Sequence, residues 1–404
     1  MSPQVFRLVL LVSCAHALVH VYELSLPSVE QNIALEFDVG TSTTGLLGNA
    51  WRLPWGLGAV GAGWLADRYG SRRLLIIYLL GCAATSFAAA QAGSLRTLFV
   101  AMFAMGSFAS IYHPAGLALI SSAAGPRDRT MALGYHGIFG SAGIALAPFW
   151  AALALELGAT WQTYYLVLVV PGIALAVALF VWLPKTTHQQ HAAATEPADD
   201  ALADLRPYFL LVAAGTMGGF VYAAFLNFLP RYLASHATHA VDGASGVASS
   251  GAFRTAAVLV VGIGGQYLAG HLGRFGRLER TLSIVILAST PMLVGMAVAD
   301  GSWRIAAAGA FVFVHFMQQP IYNSLLAQYA SPRRRSLAYG FSNTMAFGVG
   351  SFGAGFAGFA LDRLGTTVTY VSLAGVAAAS GAIAAVLVWN RPVRRGSKLV
   401  DEAE

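Results

Sequence analysis

Two histidines and one glutamate lie within a single apolar stretch near the start of the chain. Their spacings of four and three residues place His16, His20 and Glu23 on one face of a helix. Histidine changes charge near neutral pH, and apolar surroundings favour the protonated form of a carboxylate. The pattern therefore predicts a proton carrier. The same residue types can also ligate a divalent ion, so a metal site is the alternative.

Two arginines lie inside other apolar stretches, where an unpaired charge is costly. Arg52 and Arg254 each stand 11 residues before a glycine, which places both near the middle of a helix. No acidic residue lies within either stretch. Because the arginine fork suits carboxylate, phosphate or phosphonate, we expect both to bind a small organic anion from opposite walls of one cavity. The alternative is that each pairs with a carboxylate or backbone carbonyls and only holds helices together.

Polar residues flank a proline in two further apolar stretches. Proline removes one intrahelical hydrogen bond and bends a helix, and polar side chains beside such bends often line a cavity. The candidates for substrate contact are Tyr112 and His113 beside Pro114, and Gln319, Tyr322 and Asn323 beside Pro320; His136 and His315 are weaker candidates. Packing between helices is the alternative for each of them.

Membrane-spanning helices are the elements that must hold these residues. Of the 404 residues, 57% are hydrophobic and 10% are charged, against about 25% charged in soluble proteins. Backbone groups in a bilayer must hydrogen-bond one another, which predicts an all-helical protein. Both cysteines lie in apolar stretches, so no disulfide is expected. The net charge of +6 is dispersed over short loops, which argues against nucleic acid as a partner.

Apolar runs of about twenty residues predict twelve spans. They lie at 5–34, 43–66, 74–93, 97–124, 130–155, 160–183, 207–233, 247–271, 281–299, 304–330, 336–361 and 367–390. The polar stretch between the sixth and seventh spans divides the chain. We predict a six-helix bundle at 1–183, a cytoplasmic linker at 184–206, a second six-helix bundle at 207–390 and a cytoplasmic tail at 391–404.

The two halves repeat, and their loops differ in charge. Arg52 and Arg254 correspond at an offset of 202 residues, and Pro114 and Pro320 at an offset of 206. One set of loops and chain ends carries 18 basic residues and the other set carries 4. Because basic loops stay in the cytoplasm, both termini are predicted to lie there.

The loop between the second and third spans, residues 63–73, reads GWLADRYGSRR. It resembles the signature loop of the major facilitator superfamily, G-x-L-A-D-R-x-G-x-R-R, in both sequence and position. The resemblance implies two pseudo-symmetric six-helix bundles that rock about a central substrate site. It assigns a gating role on the cytoplasmic side to Gly63, Asp67, Arg68, Gly70 and Arg72.

Two shorter resemblances concern transport direction and substrate. The small residues around Ala147 and Pro148 in the fifth span resemble the antiporter motif of the superfamily, which favours export and adds Pro148 to the gating residues. The sequence YHPAG at 112–116 resembles the fosmidomycin-resistance-like branch. Fosmidomycin is a phosphonate, which agrees with an anion site built from arginines.

These observations predict a monomeric secondary transporter of the bacterial inner membrane that exports a small organic anion or drug-like compound in exchange for protons. The alternatives are a proton-coupled uptake symporter for organic anions, a divalent-metal transporter and a non-transporting sensor or scaffold. No Walker-type phosphate loop occurs, so neither ATP nor another cofactor is expected. No set of nucleophile and base is visible either, so we do not expect an enzyme.

Overall fold

A computed structural model describes residues 1–124, 126–183, 205–234, 244–272, 277–330 and 335–389. The predicted linker, except for its last two residues, and the predicted tail lie outside the described residues. The helices are α1 (Pro3–Glu36), α2 (Thr41–Tyr69), α3 (Ser71–Ala90), α4 (Leu95–Ala109), α5 (Tyr112–Ala123), α6 (Pro126–Glu156), α7 (Trp161–Trp182), α8 (Arg206–Ala234), α9 (Ala244–Leu272), α10 (Leu278–Val298), α11 (Trp303–Tyr329), α12 (Arg335–Asn343) and α13 (Phe352–Trp389), with a π-helical segment at Thr344–Val349. The described chain contains no strand, so the predicted all-helical fold class is confirmed.

The helices account for the twelve predicted passages. α4 and α5 form one passage that breaks at Ser110 and Ile111. α12, the π-helical segment and the start of α13 form the eleventh passage, which ends at Gly365 with a φ of 80° that favours glycine. Nine helical stretches of the described chain are long and apolar enough to cross a membrane. α2 and α11 are not among them, because polar side chains such as Arg52 and Gln319 lower their mean hydropathy.

The two halves meet along three sets of helices. α6 packs against α9, α2 packs against α13 and the π-helical segment, and α1 packs against α8. A β-carbon on Gly56 of α2 would overlap the backbone of Gly348 in the π-helical segment. A β-carbon on Gly45 would lie 2.5 Å from the carbonyl oxygen of Ala354 in α13. Glycines in these contacts let the backbones of the two halves approach closely.

The ends of the helices define two sides of the molecule. We call the side where α2 ends at Tyr69 the basic side, and the side where α1 ends at Glu36 the opposite side. Polar contacts that join the halves on the opposite side include Glu30 with Arg231, Asp362 with the backbone N–H groups of Thr41 and Ser42, and Glu156 with Ser249. The opposite side is therefore held closed.

Candidate functional site

A buried ion pair joins α1 and α2. Nη1 of Arg52 donates to Oε1 of Glu23 over 2.5 Å, and the two side chains are 3% and 0% exposed. Nη2 of Arg52 has no hydrogen-bond partner among the described residues. The pair therefore neutralises both charges, and Nη2 lies without a bond of its own in a region where the Tyr222 hydroxyl of α8 interacts with both Arg52 and Glu23.

Three side chains of α1 form a hydrogen-bonded chain that begins at this pair. Nδ1 of His20 lies 2.6 Å from Oε2 of Glu23, and Nε2 of His20 lies 3.2 Å from Nε2 of His16. Nδ1 of His16 lies 2.7 Å from the backbone oxygen of His136 in α6. Gly140 makes room for this arrangement, because a β-carbon there would overlap the His16 ring. The structure thus brings together the three residues whose spacing predicted one shared helix face.

If each of these contacts is a hydrogen bond, their geometry limits how many protons the chain of Glu23, His20 and His16 holds. A carbonyl oxygen only accepts, so Nδ1 of His16 carries a hydrogen. If His16 is neutral, its Nε2 accepts from His20, and Nδ1 of His20 is then an acceptor that faces the Glu23 carboxylate. One further proton must lie between those two acceptors; if His16 is instead charged, that proton lies on His16. In each arrangement the chain holds one proton more than two neutral imidazoles and a carboxylate.

Further rings enclose the histidines of α1. The rings of His136 and Tyr112 stack with His16, at centroid distances of 3.8 and 5.2 Å. His113 meets His16 and His20 edge-on, at 5.2 and 5.7 Å. Tyr112 is fully buried and its hydroxyl lies 3.1 Å from Nε2 of His136. Tyr112 therefore supports the histidines in this conformation, and its contact with substrate stays a prediction.

Three histidines of this cluster also have the spacing that a metal site requires. The ring nitrogens of His16, His20 and His113 lie within 4.8 Å of one another. A zinc ion would draw each nitrogen to about 2.1 Å from the metal. Nε2 of His16 and Nε2 of His20 lie 3.2 Å apart, at hydrogen-bond distance, and a metal would have to replace this contact. Metal binding stays the alternative to proton transfer here.

The two predicted anion-binding arginines make separate contacts. Nη1 of Arg254 donates to the carbonyl oxygen of Leu233 over 2.9 Å, near the opposite-side end of α8. Arg52 instead pairs with Glu23. These are the structural partners, a carbonyl and a carboxylate, that the sequence left open as the alternative. The two-arginine anion site stays a prediction, since these contacts do not fix the position of one guanidinium relative to the other.

The candidates on α11 bond mainly to their own half. Gln319 accepts from Gln266, Tyr322 shares a proton with Ser342, and the backbone oxygen of Asn323 accepts from Tyr339, over 3.1, 2.6 and 3.0 Å. The amide of Gln266 also accepts from Ser141 of α6 over 2.8 Å, which links α11 to the first half. These contacts place the three residues at the junction of α11 with α9 and α12.

The predicted gating loop lies at the basic side. Gly70 has a φ of 88°, which requires glycine for the turn between α2 and α3. Arg68 lies over the rings of Trp64 and Tyr69, and Asp67 is exposed. The described contacts of Arg68 therefore lie within the first half.

The other predicted gating residues flank this loop or lie in α6. Arg72 donates to the carbonyl oxygens of Leu179 and Phe180 at the end of α7. Gly63 leaves space for a β-carbon, which would lie 3.7 Å from Pro114. Pro148 is buried in α6, and the ring of the next residue, Phe149, contacts Phe253 of α9. Pro148 thus lies in a helix that packs against the other half, and its neighbour Phe149 makes a contact there.

A second buried carboxylate was missed by reasoning from the sequence. Glu30 is 1% exposed and accepts two hydrogen bonds from Arg231 of the other half, over 2.9 and 3.0 Å. The hydroxyl of Thr44 donates to the same carboxylate over 2.5 Å. Glu30 lies seven residues after Glu23 and so continues the polar face of α1. That spacing was the signal that could have found it.

Comparison with known proteins identifies the architecture. Two solved structures superpose on most of the chain. One is a bacterial homologue of the human lysosomal transporter Spinster, inward-facing and unoccupied, with a TM-score of 0.75, 14% identity and 96% of both chains covered. The other is a mutant of the nucleoside transporter NupG, with a TM-score of 0.75 and 15% identity, which covers 94% of this chain and 99% of that chain. At such identities the likeness concerns the fold.

Curated relatives match over shorter regions. The 3-(3-hydroxy-phenyl)propionate transporter of Escherichia coli is 36% identical over 136 residues, which is 32% of this chain and 32% of that protein. The tetracenomycin C resistance and export protein of Streptomyces glaucescens is 28% identical over 159 residues, 39% and 28% of the two chains. A probable actinorhodin transporter of Streptomyces coelicolor is 28% identical over 126 residues, 30% and 22%. The matches thus span less than a third of each of these relatives.

The sequence model described as Major Facilitator Superfamily matches residues 12–354 and 255–403. The match spans nearly the whole chain, and the curated relatives and structural neighbours are transporters as well. The protein is therefore a multi-pass membrane transporter and not an enzyme. This chain belongs to the major facilitator superfamily.

Proposed function

We propose that this chain is a proton-coupled secondary transporter that moves a small organic anion, bound at Arg52, together with a proton held by Glu23 and His20. The two halves, which we delimit at 1–183 and 207–390, rock about this site and expose it to one side at a time. The observation that carries the proposal is the buried hydrogen-bonded chain from Arg52 through Glu23 and His20 to His16.

Coupling arises from competition for one guanidinium group. An anion that binds Arg52 fully must displace the Glu23 carboxylate, and a displaced carboxylate would be left buried and charged. A proton on Glu23 removes that cost. Anion and proton therefore bind together and travel in the same direction. This argument favours the symport alternative over the export that the sequence motifs favoured.

The charge of the cluster supports an anionic substrate. With its extra proton, the chain of Glu23, His20 and His16 is neutral as a whole, and Arg52 adds one positive charge. Loss of the proton makes the whole cluster neutral, so that an anion is held less strongly. Release of substrate and release of the proton are thereby linked.

The gates lie at the two ends of this pathway. We propose that Asp67, Arg68 and Arg72 close the basic side when the opposite side opens, and that the bond between Glu30 and Arg231 closes the opposite side. We propose that the basic side, with both chain ends, lies in the cytoplasm of a bacterial inner membrane, because basic loops are retained there. We expect the protein to act as a monomer.

Export is the second candidate function. Four of the relatives are named as resistance or export proteins, and α6, which carries Pro148, packs on α9, as the resemblance to antiporters implies. In that case substrate and proton would exclude one another at the site. The relative named for 3-(3-hydroxy-phenyl)propionate supports an organic acid as the substrate class.

Reconstitution into liposomes tests the proposal. Carboxylates, phosphonates and phosphate esters are first screened by the shift that they cause in the unfolding temperature. Uptake of the stabilising anion is then measured with an inward proton gradient and with an outward one. Symport predicts accumulation with the inward gradient, and exchange predicts accumulation with the outward gradient.

Matched variants isolate the site. Arg52→Ala should abolish anion-dependent stabilisation and uptake, whereas Arg254→Ala, the same change at the corresponding position of the other half, should retain both. Unchanged uptake by Arg52→Ala would refute the proposed site. Equal losses in both variants would restore the two-arginine site that the sequence predicted.

A further inference from the structure

An unpaired asparagine of α8 lies against α2, the helix that carries Arg52. Asn227 of α8 is fully buried, yet neither the oxygen nor the nitrogen of its amide has a hydrogen-bond partner among the described residues. Burial of an amide without partners is unfavourable, and native proteins contain few such groups. Asn49, another buried asparagine, is bonded, because its amide oxygen accepts from the N–H of Gly355 over 3.0 Å.

The position of Asn227 relates it to the guanidinium of Arg52. Its amide lies against Gly48 of α2 so closely that a β-carbon there would overlap the amide oxygen. Gly48 and Arg52 are four residues apart and so share one face of α2, with a rise of about 6 Å between them. Two other buried polar atoms on α2 have no described partner, Nη2 of Arg52 and Nε1 of Trp51, which lies three residues after Gly48.

Three aromatic rings lie beside the same face. Tyr222 of α8 lies 5.5 Å from the guanidinium carbon of Arg52. The ring of Phe347 in the π-helical segment lies 6.5 Å from Tyr222 and 5.1 Å from Trp55 of α2. Aromatic faces of this kind favour contact with a flat, unsaturated ligand. The region thus offers a cation, an amide and ring surfaces, and parts of it come from both halves.

We infer that Asn227 and Arg52 are the two polar anchors of one binding site, whose ligand is an aromatic acid with a hydroxyl group about one helical turn from its carboxylate. The carboxylate binds Arg52, the hydroxyl binds the amide of Asn227, and the ring lies against Trp55, Tyr222 and Phe347. The inference rests on the proposed function for the role of Arg52 and adds the substrate class. Because Asn227 belongs to the second half, such a ligand would bridge the two halves.

Binding of three probes to the purified full-length protein tests the inference. The probes are benzoate, 3-hydroxybenzoate and 4-hydroxybenzoate, and calorimetry gives the Kd of each. At least one hydroxy acid should bind the wild type about tenfold more tightly than benzoate, because it satisfies the buried amide. In Asn227→Leu that advantage should vanish while the Kd of benzoate stays within about twofold, because its contact with Arg52 is kept.

Stability distinguishes this role from a structural one. Asn227→Leu removes two unpaired polar atoms at similar volume, so the ligand-free variant should unfold at the wild-type temperature or above it. The control Asn49→Leu removes an existing hydrogen bond, the one that Asn49 accepts from Gly355. It should lower the unfolding temperature and leave the ratio of hydroxybenzoate to benzoate affinity unchanged. Gly48→Ala, which displaces the amide of Asn227, should reduce the hydroxyl advantage as Asn227→Leu does.

The outcomes separate the two proposals. If benzoate binds through Arg52 but a hydroxyl adds nothing, or if its advantage survives in Asn227→Leu, the two-anchor site is wrong and the anion site stands. If none of the three acids binds the wild type, or if binding survives in Arg52→Ala, the anion site itself is wrong and the inference fails with it.

Discussion

Glu23 of α1 and Arg52 of α2 are joined by a bond of 2.5 Å inside the first half, and this bond occupies one terminal nitrogen of the guanidinium while the other has no described partner. Breaking a buried ion pair leaves a charge without compensation, which is strongly unfavourable. The pair is therefore stable until a proton neutralises Glu23 or another anion takes the place of Glu23 at Arg52. This property makes it suitable as a coupling element.

Replacing Glu23 by glutamine should uncouple transport from protons. The amide cannot exchange a proton and competes weakly for Arg52, so anion binding should become nearly independent of pH and tighter at neutral pH than in the wild type. Exchange of anion across liposomes should persist, and accumulation driven by a proton gradient should be lost. Normal proton-driven accumulation by Glu23→Gln would place the proton carrier elsewhere.

The His16 side chain should be needed for proton movement more than for substrate binding. His16→Ala interrupts the chain between Glu23 and His136, so proton-driven uptake should fall by about tenfold or more while anion affinity changes little. The matched control is His315→Ala, because His315 is buried in the second half and bonds to Gln318. Equal effects of both variants on uptake would argue against a specific proton route through His16.

The bond between Glu30 and Arg231 should stabilise closure of the opposite side. Glu30→Gln removes one charge of a pair that joins the halves, and should shift the equilibrium towards opening by about 1–3 kcal/mol, a value reduced by the partial exposure of Arg231. Hydrogen exchange at the opposite-side ends of α1 and α8 should become faster.

A carboxylate on the same helix provides the control for this change. Glu36 also bonds through its carboxylate, but to Trp161 and Gln162 of its own half. Glu36→Gln should therefore leave exchange at the end of α8 unchanged. If exchange in Glu30→Gln matches that of the wild type, the pair is not a gate.

Asp67 should act in the conformational cycle and not in binding. Its exposed carboxylate lies at the basic-side end of α2, whereas Arg52, which pairs with Glu23, lies about four helical turns earlier in the same helix. Asp67→Asn should lower the maximal transport rate while the Kd of the anion stays unchanged in a binding assay. A loss of affinity without a loss of rate would contradict the gate.

Periodicity in the sequence predicted the helices and their polar faces, but it could not predict partners that come from other helices. The apolar runs predicted the passages, and the spacing of His16, His20 and Glu23 predicted their shared face. The sequence of α2 contains no partner for Arg52, because that partner, Glu23, belongs to α1 and contacts Arg52 only once the two helices have packed together. Asn227 has no charge and no motif around it, so only its burial beside Gly48 distinguishes it.

The dependence of anion affinity on pH tests the central claim most directly. Calorimetric Kd values for the anion identified by the thermal screen would be measured from pH 5 to pH 8, for the wild type and for Glu23→Gln. If proton and anion bind together, affinity in the wild type rises on acidification by up to about tenfold per pH unit and then levels off, and the variant shows no such rise. Affinity that is flat with pH in the wild type, or that rises equally in the variant, would contradict coupling through Glu23 and Arg52.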